Sequence, residues 1–242
     1  MPSSREQARA EEPPRAEEPR ARRRRGYGQY CAISGALDVL GERWTLLIVR
    51  DLFLGPKRYT DLREGLPGIA TDLLTARLRT LERAGLVRRR TLPRPAPATV
   101  YELTDRGRLL GPVLRGLAQV GFTLLHEVPE DADVPPERLA LALRAAYRPT
   151  AAPEDDATYQ LILDDEPFVA AVRAGELDVA RGTTPRADLT LRSDPVTLIR
   201  LLQGGTTADE ALTAGRLEAD GPRAALDRFV AAFAWPPAMS AP

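Results

Sequence analysis

Fourteen residues, TDLLTARLRTLERA at positions 71–84, constrain this chain more than any other stretch. Leu74, Leu78 and Leu81 recur at i, i+4 and i+7, which is one face of a 3.6-residue period. Strong helix formers fill the remainder, and Gly85 stands where a helix stop belongs. The opposite face holds Thr71, Asp72, Thr75, Ala76 and Arg79: small side chains, hydroxyls, one acid and one long cation. Such a face can approach a base edge because nothing bulky holds the helix away. At the usual rise the helix is roughly 21 Å long, against a major groove about 12 Å wide. An ordinary amphipathic surface helix would show the same period, so the flanks decide.

Upstream, Ala36, Leu37 and Leu40 suit a first helix ending near Gly41. Residues 44–54 suit a second, with Trp44, Leu47, Ile48 and Leu52 expected inside and Gly55-Pro56 as its stop. A short third helix covers 59–64. Pro67 and Gly68 then make a tight turn, since one restricts the backbone and the other permits a positive φ. Helix, short glycine-containing turn, helix is a helix-turn-helix arrangement. After Gly85 the period changes. Residues 86–91 read as a basic strand, Pro93 to Pro97 as a stiff loop, and residues 100–103 as a partner strand. A hairpin in that position is a wing. It would set Lys57, Arg58, Arg88, Arg89, Arg90 and Arg94 near phosphates on either side of the groove-facing helix. Thr104 is expected to cap a long helix towards Glu127, kinked at Gly111-Pro112.

The zero net charge of the 242 residues conceals an asymmetry. Residues 1–25 carry net +3, residues 26–128 net +5, and residues 129–242 net −8. A basic front and an acidic rear point to two modules with different partners. Residues 1–25, rich in Arg, Glu and Pro, have nothing to bury and read as a disordered tail. No apolar run is long enough for a membrane span and no signal-peptide pattern opens the chain, so a cytoplasmic protein is expected. One cysteine, Cys31, and one histidine, His126, argue against a Cys/His zinc site. There is no P-loop, no GxGxxG after a strand and no GxSxG, so neither an enzyme nor a cofactor is expected.

The run LGERWTLLIVRDLFLGPKRYTDLREGLPGIATDLLTARLRTLERAGLVRRR, followed by PATVYELTDRG, resembles the HxlR-type winged helix-turn-helix regulators. The motifs carrying the likeness are Trp44, Gly68-Ile69, Arg77-Leu78, Gly85-Leu86 and Tyr101-Glu102-Leu103-Thr104. The resemblance implies a cytoplasmic bacterial homodimer that binds double-stranded DNA through recognition helices and wings. It also implies dimerisation through the first and the post-wing helices, and it adds Arg77 to the candidate DNA-binding residues. Some members of the family sense oxidants through a cysteine just before the first helix, and Cys31 stands there. The alternative for Cys31 is a small apolar residue at the dimer contact.

Residues 129–134 are expected as a linker. Beyond them come a helix at 136–147, strands from residues 158, 168, 176 and 188, then helices opened by Asp194-Pro195 and by the capping box Thr207 to Glu210. A strand at 216–220 and a helix at 222–233 close the chain. This order resembles the sterol carrier protein type 2 family over about 135–235, through residues 188–191, 201–204 and 214–221. The whole is thus expected to be α+β, with a winged helix-turn-helix domain at 26–128 and a sterol-carrier-like domain at 135–242. The second resemblance implies an apolar pocket for a hydrophobic small-molecule effector. Its walls would be Tyr159, Leu161, Val169, Leu189 and Leu191 on the sheet and Leu198, Leu202, Phe229 and Phe233 on the helices. The other reading of the same residues is a closed core. For the whole chain, the alternative to a DNA-binding regulator is a carrier of hydrophobic ligands, or a protein-interaction module, whose front has lost operator binding.

Overall fold

A computed structural model describes residues 26–93, 97–148 and 156–235. The chain divides into two compact units between Glu42 and Arg43. In the first, α1 spans Ala32–Leu40 behind Cys31, whose backbone is extended. The Tyr27 N–H donates to the Asp38 carboxylate at 2.9 Å, holding the entry strand of chain to the helix.

Near the start of the second unit Trp44 stands in the left-handed region (φ 79°), directly before α2 (Thr45–Leu52). There follow β1 (Lys57–Arg58), α3 (Tyr59–Gly65), α4 (Thr71–Arg83), β2 (Val87–Thr91) and β3 (Thr99–Leu103). The strands form an antiparallel sheet in the order β1-β3-β2. The apolar period of α4 is realised: Leu74, Leu78 and Leu81 are all buried. Its end is a Schellman turn, with Leu86 N–H on the Leu81 carbonyl and Gly85 N–H on the Glu82 carbonyl, both at 3.0 Å. That turn needs the positive φ of 69° that Gly85 supplies.

Three expectations for this half change. Leu47 is 39% exposed instead of buried, and Trp44 is only half-buried, because Ile48, Val49 and Leu52 take the inward face of α2. β1 is an additional strand, two residues long, paired Lys57↔Tyr101 and Arg58↔Val100. The long post-wing helix is broken rather than kinked. Thr104 caps α5 (Asp105–Arg108), and α6 (Gly111–Leu124) starts afresh with Pro112 in its first turn. Proline has no N–H to continue the earlier helix but is well suited to begin another.

The rear elements are α7 (Pro136–Ala146), β4 (Ala157–Leu163), β5 (Glu166–Arg173), β6 (Glu176–Arg181), β7 (Leu189–Ser193), α8 (Pro195–Gln203), α9 (Ala208–Thr213), β8 (Leu217–Asp220) and α10 (Arg223–Phe233). The sheet order is β6-β5-β4-β7-β8, with β4 and β7 parallel and the other pairs antiparallel. The β4–β5 hairpin turns through Asp164 and Asp165, both at positive φ as a type I′ turn requires.

Register assigns the faces. Tyr159 lies opposite Leu189 and Ala170, and Leu161 opposite Leu191 and Phe168, so these six share one side. Val169 pairs with Gln160 and therefore points to the other side. Its expected place on the pocket wall is taken by Phe168, which is fully buried. Tyr159, Leu161, Leu189, Leu191, Leu198, Leu202, Phe229 and Phe233 are all buried. They pack on one another: the Tyr159 and Phe229 rings meet edge-on at 5.1 Å, and Phe229 and Phe233 lie 4.7 Å apart. These side chains form the core itself instead of walls around an empty pocket, since interlocked rings leave their space filled.

That core does not stop at the rear half. Phe122 of α6 belongs to it and stacks on Trp235 with centroids 4.5 Å apart, while Leu54 and Ala118 pack against it. Polar bonds reinforce the same junction. Lys57 donates to Glu137 at 2.5 Å, and Val128 N–H donates to the Gln203 side chain at 3.3 Å. The stretch 129–134 runs beside this packed junction, with the Ala132 N–H on the Pro129 carbonyl at 3.2 Å.

Candidate nucleic-acid interface

On α4, Thr71, Asp72, Ala76 and Arg79 are exposed, and Thr75 and Arg77 are half-buried. The helix is positioned from below by its leucines and from its start by Tyr59. The Tyr59 hydroxyl donates to the Thr71 carbonyl at 2.9 Å and lies 3.2 Å from the Thr75 hydroxyl. Tyr59 is an addition to the expected site residues. It orients the side chain of Thr75, and only the packing of α3 against α4 brings the two together. Ala70 precedes α4 and offers no side-chain cap, so backbone N–H groups of the first turn stay open towards the exposed side. Such N–H groups, with the helix dipole behind them, suit an anion.

The wing arginines do not form one row. Arg88 and Arg90 lie on one face of β2 and share Glu102: each donates through Nε, at 2.7 and 2.8 Å, to a different carboxylate oxygen. Those two bonds, Arg88 first, hold the Glu102 carboxyl below the usual carboxylate range. Arg89 points the other way, with Nε 2.9 Å from Glu82 of α4 and its guanidinium 5.2 Å over the Tyr101 ring. In each arginine the acid takes the inner nitrogen. The terminal amino groups remain outward, and the side chains stay 45–64% exposed. A carboxylate that grips Nε fixes the direction of a guanidinium while leaving its donors available. Glu82 and Glu102 are further additions, because their pairing depends on a register that the proline-rich loop conceals.

Arg58 is exposed at the start of α3, next to the helix-turn-helix. Lys57 departs from expectation: its ammonium is bonded to Glu137, and only 15% of its side chain is accessible. It serves as an internal tie and not as an open cation. Arg94 lies outside the described residues.

Cys31 is exposed. Bonds from the backbone N–H groups of Ser34 and Ile33 at the start of α1 lower its thiol pKa. His126 is exposed, and its carbonyl accepts a long bond from Gln203. Among the described residues, no group of His, Cys, Asp and Glu is arranged to hold a metal ion. No helix among them is long and apolar enough to cross a membrane.

A helix-turn-helix with its second helix laid bare, followed by a basic two-stranded wing, defines a winged helix-turn-helix protein. Residues 39–128 match the family described as HxlR-like helix-turn-helix. An uncharacterised HTH-type transcriptional regulator of Synechocystis is 39% identical over 100 residues, which are 41% of this chain and 74% of that protein. The chain belongs to the HxlR-like helix-turn-helix family, and the class is that of HTH-type transcriptional regulators. YodB of Bacillus subtilis, an HTH-type transcriptional regulator, is 36% identical over 83 residues, 34% of this chain and 74% of its own. The structure of its reduced form overlays with a TM-score of 0.36 at 31% identity, covering 43% of this chain and 100% of that one.

The rear half requires a correction. Residues 141–238 match the family described as alkyl sulfatase C-terminal, not a sterol carrier family. The sec-alkylsulfatase Pisa1 of Pseudomonas overlays at 22% identity with a TM-score of 0.39, over 48% of this chain and 20% of that one. The sterol-carrier expectation rests on an order of elements and a few short strings, which more than one family of small α+β domains can share.

Proposed function

We propose that this chain is a DNA-binding transcriptional regulator that grips a pseudo-palindromic operator as a homodimer. The observation that carries the reading is the exposed face of α4, with Thr71, Asp72, Ala76 and Arg79 open and Thr75 held by Tyr59, between an uncapped helix start and the β2–β3 wing. In this reading α4 enters the major groove. Arg79 donates to a guanine edge or a phosphate, and Thr75 meets a base through its hydroxyl or methyl. Asp72 accepts from cytosine. Arg58, Arg77, Arg88, Arg89 and Arg90 supply phosphate contacts, which fix orientation and carry no sequence information. Arg94, between the two wing strands in sequence, is assigned to the same task.

A second copy is called for by α6. Val113, Leu117, Val120 and Leu124 are 52–71% exposed and recur at i, i+4, i+7 and i+11. They form an apolar stripe on the side away from Leu114, Ala118 and Phe122. A self-complementary stripe of this kind suits a two-fold dimer, which sets two recognition helices about one helical turn apart. The rear domain, at net −8, is repelled by phosphate and acts through the front domain. The test is fluorescence anisotropy with DNA from upstream of the chain's own gene, read against random DNA at several salt concentrations. Preference for the upstream fragment supports the reading. Equal affinity for both at every salt would sink it.

A further inference from the structure

Between the two halves lies a cavity of about 490 Å³, bordered by Phe122 and Ala145 at the margin of the rear core. Its walls come from three helices, α2, α6 and α7, closed by Leu177 of β6. Most of the lining is aliphatic or aromatic, with Leu46, Phe53, Leu114, Phe122 and Leu141 as its larger members. The volume falls within the range of small-molecule sites. Two leucines at its edge, Leu47 and Leu117, are 39% and 54% exposed, so the apolar surface continues to the mouth.

The polar part of the lining has one sign. It contains Arg50, Arg115, Arg138 and Arg144 and no acid. Arg50 is paired with Asp51, and Arg144 with Asp178. Arg115 is exposed and has no acid partner among the described residues. Arg138 makes one long bond, 3.4 Å to the Gly65 carbonyl, and likewise has no acid partner among the described residues. Two cations without an acid partner among the described residues, Arg115 and Arg138, therefore line a hollow that is apolar apart from the paired Arg50 and Arg144. A guanidinium fork takes a carboxylate with two parallel bonds, more strongly than it takes a neutral oxygen.

We propose that this cavity binds a small apolar carboxylic acid, its hydrocarbon part among the leucines of α2, α6 and α7 and its carboxylate on Arg115 and Arg138. This is a different place from the filled rear core. It is also independent of operator binding, since neither α4 nor the β2–β3 wing contributes a wall. The position has a consequence for control: α2 belongs to the front half, α7 and β6 to the rear, and α6 packs on both, so an occupant touches both halves.

The test is calorimetric titration of the full chain, without DNA, with sodium decanoate and with its neutral analogue decanol. We expect saturable binding of one decanoate per chain and at least tenfold weaker binding of decanol. The double variant Arg115→Gln, Arg138→Gln should bring decanoate down to the decanol level. Ala142→Trp should fill the hollow and abolish binding of both. If that variant loses its cooperative melt, Leu47→Trp at the exposed mouth should weaken binding at least tenfold in a folded chain. Equal affinity for acid and alcohol, or an unchanged decanoate affinity in the double variant, overturns the carboxylate assignment. No saturation at a few millimolar, or binding untouched by a folded tryptophan variant, overturns the site. Because no DNA is present, either failure leaves the operator reading where it stood.

Discussion

Lys57 donates to Glu137 at 2.5 Å although the two stand 80 positions apart, one on a strand of the wing sheet and the other in the first turn of α7. Glu137 also accepts from Arg181 at 2.6 Å. Burial pushes its carboxyl up, but the bonds from Lys57 and then Arg181 outweigh it, and the pKa lies below the ordinary glutamate value. A depressed folded-state pKa gives stability that is present above the unfolded value of about 4.3 and is lost as pH falls through the folded one. Glu137→Gln should therefore cost about 1 kcal/mol at neutral pH, a figure that already allows for solvent reaching the pair. The cost should shrink steadily once the pH drops below about 4.3. Urea unfolding of both chains at neutral and acid pH decides this. A cost that stays constant across that range would mean the carboxylate charge is not what matters.

The wing and α4 should fail in different ways. Arg88→Ala or Arg90→Ala removes a cation from the phosphates, so binding to every DNA should weaken alike and the salt slope should flatten by about 0.9 for each phosphate no longer neutralised. Arg79→Ala should cost about 1–3 kcal/mol on the operator and relax preference at particular base pairs. Tyr59→Phe removes the hydroxyl that steadies Thr75 and should lower specificity in the same direction as Thr75→Ala, but less. Anisotropy titrations against operator and random DNA separate the two patterns. If both sets lower specific and non-specific affinity equally, α4 does not read bases.

For the dimer, the informative variants avoid the cavity. Val113→Asp with Val120→Asp places two charges on the outward stripe of α6, both at exposed positions. The chain should then sediment as a monomer at micromolar concentration, with a melt that stays cooperative but no longer depends on protein concentration. A dimer that persists would move the contact elsewhere.

Cys31 gives a pH prediction that needs no partner. With its thiol pKa lowered by the N–H groups of Ser34 and Ile33, thiolate should appear at lower pH than in a free peptide. Iodoacetamide should therefore react with Cys31 at half its maximal rate below the ordinary cysteine value of about 8.5. A midpoint at or above that value contradicts the effect.

Gly107 is the most exacting position in the front half. A Cβ there would lie 2.1 Å from the Leu86 carbonyl oxygen, which is backbone and cannot swing aside. Gly107→Ala should cost about 2–3 kcal/mol, near the upper end for overpacking. Chemical denaturation measures it, and a cost below about 1 kcal/mol would show that α5 can shift freely.

Which of these features could be read from the residues alone depends on how far apart their causes lie. The period of Leu74, Leu78 and Leu81, the stop at Gly85 and the capping box from Thr207 to Glu210 are local, and each is realised. Val169 falls on the face opposite to the expected one because Phe168 to Val172 is apolar throughout and shows no alternation; the register with β4 decides it. Leu47 looks like core by composition, yet three neighbours on α2 suffice for the inward face. The tie from Lys57 to Glu137, the clasp of Glu102 on two arginines and the cavity all need chain segments distant in sequence to meet. No local pattern announces them.

The two-sided use of α6 bears on how such a protein can be rearranged. Phe122 and Ala118 complete the core of the rear half, while Val113 and Val120 look outward from the same helix. Cutting the chain after residue 128 would therefore leave a bare aromatic ring and an apolar seam, and starting it at residue 129 would open the rear core on the side where Trp235 rests. The halves are not beads on a string. A recombinant that places this rear half behind a different DNA-binding front would have to import α6 with it, or rebuild the seam residue by residue.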